Sequence, residues 1–278
     1  MSQNSKKRKM TGRQIAAILG IVLLVAMYVL TLIFSFMKSP LGDVLFKASL
    51  ACTIIVPVLL YAFLLVAKNR RPAKSAIIDS ILFDVGKVLL DTPWVDYLRE
   101  QNSPEEVITF FKEEMLPSQT WRDMDLNIRP FDEVVQEFCD MKPEYEKEIR
   151  HFMYSFGEFV RPYPYMEAWL SDLRYKGYRL YILSNWGEVS WNQLKEQGYM
   201  DFVEDMDGSI WSFREHIIKP DRRMFELAAE RFHLDPARTV FIDDSEKNVV
   251  AAQECGYNAI LFKDLGSCVK ELEALGVK

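Results

Sequence analysis

Two uncharged apolar runs open the chain. Gln14 to Met37 gives twenty-four residues without a charge, and Ala48 to Ala67 gives twenty. At about 1.5 Å of rise per residue, a helix of either length crosses a hydrocarbon core of about 30 Å. Pro57 in the second run is compatible with a membrane helix. The pattern predicts a transmembrane hairpin over 14–67, with spans 14–37 and 48–67, a tail at 1–13 and a linker at 68–76. The first run is too long for a cleaved signal peptide, and a second span follows it directly.

From residue 77 the pattern alternates on a shorter scale. Ile77–Phe83 reads as a strand ending at Asp84. Ser103-Pro104-Glu105-Glu106 reads as a capping box opening a helix to about Met115, and Phe131–Met141 and Pro143–Phe156 carry apolar residues at helical spacing. No strand signal falls between about 92 and 160. Helices are then expected at Met166–Lys176, Val189–Gln197, Asp221–Phe232 and Glu246–Cys255, three of them stopped by Gly177, Gly198 and Gly256. Strands are expected at Tyr178–Leu183, near Phe202-Val203, at Thr239–Ile242 and at Ala259–Phe262, followed by a last helix. Strands alternating with helices of this length predict an α/β fold with a Rossmann-like parallel sheet over 77–278. In such sheets the ligand lies at the carboxyl ends of the strands, here Asp84, Ser184 and Asp243-Asp244.

Charge sharpens the division. The first 74 residues carry eleven Lys or Arg and one acid, a net of +10, and the remaining 204 a net of −16. Five bases precede the first span and four follow the second, so the positive flanks put both termini and the large C-terminal part on the cytoplasmic side of a two-span membrane protein, with the bilayer as a partner. The acidity of the large part disfavours nucleic acid. The four widely spaced cysteines, Cys52, Cys139, Cys255 and Cys268, form neither a disulfide framework nor a zinc site. Cys139, Cys255 and Cys268 read as small buried hydrophobes, and the three histidines as surface or helix residues.

Four motifs carry the chemistry. ILFDVGKVLLD ends the first strand at Asp84, LYILSN ends the next at Ser184-Asn185, Ile218-Lys219-Pro220 follows, and VFIDDSEKN ends a third strand at Asp243-Asp244. In this order they resemble the haloacid dehalogenase-like superfamily of phosphohydrolases, in the subgroup whose first motif reads Asp-x-Gly-x-Val-Leu. The resemblance covers 77 to about 265; about 100 residues separate the first and second motifs, and the resemblance implies that this interval holds a helical cap at about 92–160.

That resemblance assigns roles. Asp84 becomes the nucleophile that forms an aspartyl-phosphate. Asp84, the Gly86 carbonyl and Asp244 become ligands of a Mg²⁺ ion, with Asp243 and Asn248 supporting them. Ser184, Asn185 and Lys219 become the phosphate-binding groups, Lys219 also neutralising the transferring group. One departure stands out: Gly86 occupies the position of a second aspartate that most phosphatases of the superfamily use as general acid and base, and Lys87 the usual glycine. The expected activity is therefore a Mg²⁺-dependent phosphohydrolase of a small phosphorylated substrate, attenuated or selective for good leaving groups. The alternative is a degenerate fold serving as a membrane-bound binding or regulatory module. Dehalogenation fits less well, since it needs no Mg²⁺ site. Trp94, Tyr97, Trp121, Arg122 and Arg129 in the insert, and Trp186, Glu188 and Trp191 after the second motif, are candidates to contact substrate.

Overall fold

The computed structural model describes residues 77–278 throughout and, before them, 28–29, 31–36, 39, 41, 44–53 and 55. The chain divides into two units, Met1–Lys74 and Ser75–Lys278. The expected spans and the basic tail and linker fall largely outside the described residues. Among the described residues, no helix is long and apolar enough to cross a membrane.

The second unit is built on β1 (Ser80–Phe83), and Ile81, Leu82 and Phe83 are wholly buried. Its side chains alternate between two cores. Ile81 and Phe83 join the larger one, Leu82 the smaller. A strand buried on both faces is what a sheet covered by helices on each side requires. β2 (Leu90–Asp91) follows at once, and then the insert: α1 (Trp94–Glu100), α2 (Glu105–Phe110) running into a π-helical turn (Phe111–Met115), α3 (Gln119–Asp125), α4 (Phe131–Met141), α5 (Glu146–Tyr154) and α6 (Phe156–Phe159). The chain returns through β3 (Arg161–Pro162), which pairs antiparallel with β2, so the insert leaves and re-enters through adjacent strands. In α4 the buried residues are Val134, Val135, Phe138 and Cys139, and in α5 Ile149, Phe152 and Met153; each set forms one helical stripe, and the two helices pack together.

The rest alternates as expected: α7 (Met166–Tyr175), β4 (Arg179–Ser184), α8 (Glu188–Glu196), β5 (Gly208–Trp211), α9 (Ser212–Glu215), α10 (Arg222–Arg231), β6 (Thr239–Asp243), α11 (Glu246–Glu254), β7 (Asn258–Leu261) and α12 (Leu265–Ala274). The strands form a parallel sheet in the order β5-β4-β1-β6-β7. β1 sits at its centre, with Phe83 level with Ile182 of β4 and Ile242 of β6. The three strands thus end side by side, and the Asp84 N–H still donates to the Ile242 carbonyl at 2.9 Å. Gly177, where α7 stops, holds φ +89°, a left-handed backbone that favours glycine.

Four expectations are corrected. Phe202-Val203 lies in a 3₁₀ turn (Asp201–Asp205), and the strand is β5. Acids flank the 202–203 pair, whereas Ile210 and Trp211 are fully buried behind a Gly-Ser lead that conceals the strand. Gly208 is needed there, because a Cβ would meet the Phe232 ring at 2.5 Å. The capping box at 103–106 does not form: α2 begins after Pro104, without a side-chain cap. Pro143–Phe156 is not one helix, since a 3₁₀ turn (Pro143–Tyr145) precedes α5 and Ser155 separates α5 from α6. Cys139 and Cys268 are buried as expected, but Cys255 only partly.

Candidate active site

Asp84 follows β1 at the centre of the sheet, between Ser184 at the end of β4 and Asp243 at the end of β6. Its carboxylate is closely held. Oδ1 accepts from the Val85 N–H at 2.7 Å and the Ser184 hydroxyl at 2.7 Å, and pairs with Lys219 Nζ at 2.9 Å. Among the described residues nothing bonds to Oδ2, so one oxygen is fixed and the other left open. Lys219, only 2% exposed, also reaches Asp243 Oδ2 at 2.7 Å. Asp243 in turn accepts from the Ser245 N–H at 2.8 Å and from Asn248 Nδ2 at 3.0 Å to both oxygens. Asn185 receives the Lys219 N–H at 2.8 Å and donates to the Lys219 carbonyl at 3.0 Å. Its side chain therefore clamps the main chain of Lys219 to the end of β4.

The charge balance is uneven. Ligand oxygens of Asp84, Asp243 and Asp244 lie within 4.8 Å of one another. Against them stand the buried Lys219 and the exposed Lys87, whose Nζ is 3.5 Å from Asp244 Oδ2. Burial pushes the Asp84 carboxyl up to about 7, with Asp243 and Asp244 adding to the rise and Lys219 and Ser184 opposing it. Burial also raises Asp244, with Asp243 adding and Lys87 opposing. Burial acts to lower Lys219, but the carboxylates of Asp243 and Asp84 outweigh it and hold the ammonium above its ordinary value. A cluster of oxygen donors with more negative charge than its lysines balance fits a hard divalent cation such as Mg²⁺.

A cavity of about 340 Å³ opens from this cluster into the insert. Asp84, Gly86, Lys87, Asn185 and Asp244 line its polar end. Its other walls are mostly apolar: Trp94, Leu116, Trp121, Met124, Phe152, Phe156, Phe159, Val160 and Trp186. The rings pack on one another, Phe152 stacking on Phe159 at 5.3 Å and Trp121 lying 6.3 Å from Phe156. Of the residues expected to contact substrate, Trp94, Trp121 and Trp186 line this cavity. The others have work elsewhere: Tyr97 bonds to Glu158 and His151, Arg129 pairs with Glu137, Glu188 accepts from Asn127, and Trp191 packs on Trp211 and Phe213. Arg122 is exposed. The phenylalanines and Asp125, which also lines the cavity, escaped sequence reasoning, because nothing in the helical periodicity separates a cavity wall from a core.

Lys87 takes a left-handed backbone, φ +57°, at the position where the resemblance expects glycine. A Cβ on Gly86 would stand 3.3 Å from the Trp186 ring, so the indole borders the space where an aspartate would begin.

The haloacid dehalogenase-like hydrolase family model matches residues 78–256, and the chain belongs to that family. A sesquiterpene phosphatase of Aspergillus oryzae is 26% identical over 196 residues, covering 70% of this chain and 95% of that relative. A glyceraldehyde 3-phosphate phosphatase of Methanothermobacter thermautotrophicus is 32% identical over 104 residues; the match covers 37% of this chain and less than half, 45%, of that relative. Among solved structures, a HAD family enzyme of Bacteroides thetaiotaomicron in complex with magnesium and inorganic phosphate is 25% identical, at a TM-score of 0.54, covering 69% of this chain and 98% of that one. The chain is an enzyme of the phosphatase kind.

Proposed function

We propose that this protein is a membrane-anchored, Mg²⁺-dependent phosphomonoesterase that works through an aspartyl-phosphate on Asp84 and takes a phosphate ester with an apolar organic group. One observation carries the reading. A buried carboxylate, held through one oxygen and open at the other, faces an aromatic cavity. Asp84, the Gly86 carbonyl and Asp244 would hold the ion, and Asp243 and Asn248 would support them. When bound, Mg²⁺ supplies positive charge against the phosphoryl oxygens and the nucleophile. Asp84 Oδ2 attacks phosphorus while the ester oxygen departs. Lys219 and the Ser184 hydroxyl offset the charge that collects on the phosphoryl oxygens. Asn185 keeps Lys219 in place for this. Water then attacks the phosphorus of the aspartyl-phosphate and releases phosphate from Asp84.

The cavity walls argue for the apolar group, since rings and aliphatic side chains gain by burying hydrocarbon and leave the hydroxyls of a sugar unsatisfied. The name of the Aspergillus relative points the same way. The uncharged runs 14–37 and 48–67 with their basic flanks support a two-span anchor, with both termini and the 77–278 domain on the cytoplasmic side. An apolar phosphate partitioning into the bilayer would then meet the enzyme close by. Gly86 favours a second reading, a binding or regulatory module, or at the least an enzyme slowed on poor leaving groups.

Phosphate release by the full chain decides between them. With Mg²⁺, kcat/KM should rise along a series of n-alkyl phosphates by as much as roughly fourfold per methylene, the equivalent of about 0.8 kcal/mol, and chelation should abolish it. Release from none of a broad panel would leave the module; a preference for sugar phosphates over alkyl phosphates would refute the apolar substrate.

A further inference from the structure

This inference rests on the phosphatase reading above. We propose that Asp125, carried by the helical insert, is the general acid and base that the Gly86 position lacks. It protonates the leaving oxygen and then takes the proton of the attacking water.

Place comes first. Asp125 is the last residue of α3 and lines the same cavity as Asp84, Asn185 and Trp186. It stands apart from the three carboxylates that cluster within 4.8 Å and could hold a metal ion. Its main chain is tied to the core: the Asp125 carbonyl accepts from the Ser212 hydroxyl at 2.7 Å, and the oxygen of that serine accepts from the Trp186 N–H at 2.9 Å. The next residue adds a second tie, the Leu126 carbonyl lying 2.7 Å from His216 Nδ1. An insert residue is thereby fixed against the loop that follows β4.

Chemistry comes second. Among the described residues the Asp125 carboxylate has no hydrogen-bond donor and no cation. It also stands at a helix C-terminus, where the dipole disfavours negative charge. Burial alone pushes it up to about 7. An unpartnered carboxyl of that kind is a poor structural element, but it is suited to give and take a proton near neutrality. Space comes third. The Trp186 ring borders the position from which an aspartate at 86 would act, while Asp125 enters the same cavity from the insert.

The proton balance closes. As the Asp84 oxygen–phosphorus bond forms and the ester phosphorus–oxygen bond breaks, neutral Asp125 gives its proton to the departing oxygen and an alcohol leaves. Ionised Asp125 then removes a proton from water as the water oxygen bonds to phosphorus. The bond to Asp84 breaks, phosphate leaves, and both carboxyls return to their starting states.

The test compares the full chain with Asp125→Asn, in Mg²⁺, on p-nitrophenyl phosphate, whose leaving group needs no proton, and hexyl phosphate, whose leaving group does. The expected loss in kcat/KM is on the order of 100-fold or more for hexyl phosphate, and a few-fold at most for the aryl ester. Equal losses on both substrates, or loss on neither, would overturn the assignment and leave the phosphatase reading intact with slow alkyl turnover. A wild-type chain that hydrolyses neither ester would overturn both. Should Asp125→Asn fail to fold, Ser212→Ala, which loosens the anchor and keeps the carboxyl, must show the same selective loss on hexyl phosphate; a uniform loss or none would count against the proposal.

Discussion

Lys219 is the residue on which the site's electrostatics turn. Its ammonium lies between Asp84 and Asp243 and is almost wholly buried, so its removal leaves two buried carboxylates facing each other. Lys219→Met should destabilise the domain by about 3–5 kcal/mol at neutral pH, the usual consequence of breaking one side of a buried pair. Urea titrations of the two proteins would measure it, and an unchanged midpoint would contradict it. Asp125 is the opposite case, a half-buried carboxyl with no partner among the described residues. Its folded-state pKa of about 7 lies above the ordinary 3.8, so the folded state binds this proton more tightly than the unfolded chain. Its contribution is therefore most favourable in acid and is lost as pH rises through about 7. Asp125→Asn should raise Tm more at pH 8 than at pH 5, read by parallel thermal melts. The sequence shows Asp84 because it ends a strand within a motif, and Lys219 because its motif falls in order between motifs at strand ends. Asp125 is invisible there: it is one of two acids in Arg-Asp-Met-Asp, and only the folded insert separates the one in the cavity from Asp123, which lies 3.8 Å from Arg129.

At the scale of elements, the central strands and the helices beside them were legible because burial on both faces leaves unbroken apolar runs ending in polar residues. What stayed hidden was short or interrupted. β2 and β3 are two residues each, and a pair that short has no periodicity to read, although it is what carries the insert out and back. β5 hides behind Gly208 and Ser209. The insert itself was recognised as helical, but its inner wall was not. Phe152, 2% exposed, packs its ring among Trp94, Phe111, Trp121, Phe156 and Phe159. Phe152→Ala should cost about 3–5 kcal/mol of stability. Phe156→Leu, which keeps an apolar side chain but removes the ring, should raise KM for hexyl phosphate more than for methyl phosphate. Equal changes in KM on the two esters would place Phe156 in the insert's core rather than in the substrate wall.

For the whole molecule, the net charge of −6 conceals two unlike parts, +10 over the first 74 residues and −16 over the rest. Fractionation of cells expressing the chain tests the anchor proposed for the first part. The full chain should remain with membranes through a high-salt wash, which removes proteins held by charge alone, and should leave only with detergent. Release by salt would reduce the first 74 residues to an electrostatic tether. The candidate residues Asp84, Ser184, Lys219 and Asp244 all lie in the acidic second part, Ser75–Lys278. The most direct test of the proposed chemistry is the covalent state of Asp84 during turnover. The chain, mixed with Mg²⁺ and p-nitrophenyl phosphate, is quenched in acid, digested and weighed peptide by peptide. A phosphoryl group should be found on Asp84 and be absent from Asp84→Asn and from the Mg²⁺-free sample. Continued phosphate release by Asp84→Asn, or a phosphoryl group on any other residue, would contradict it.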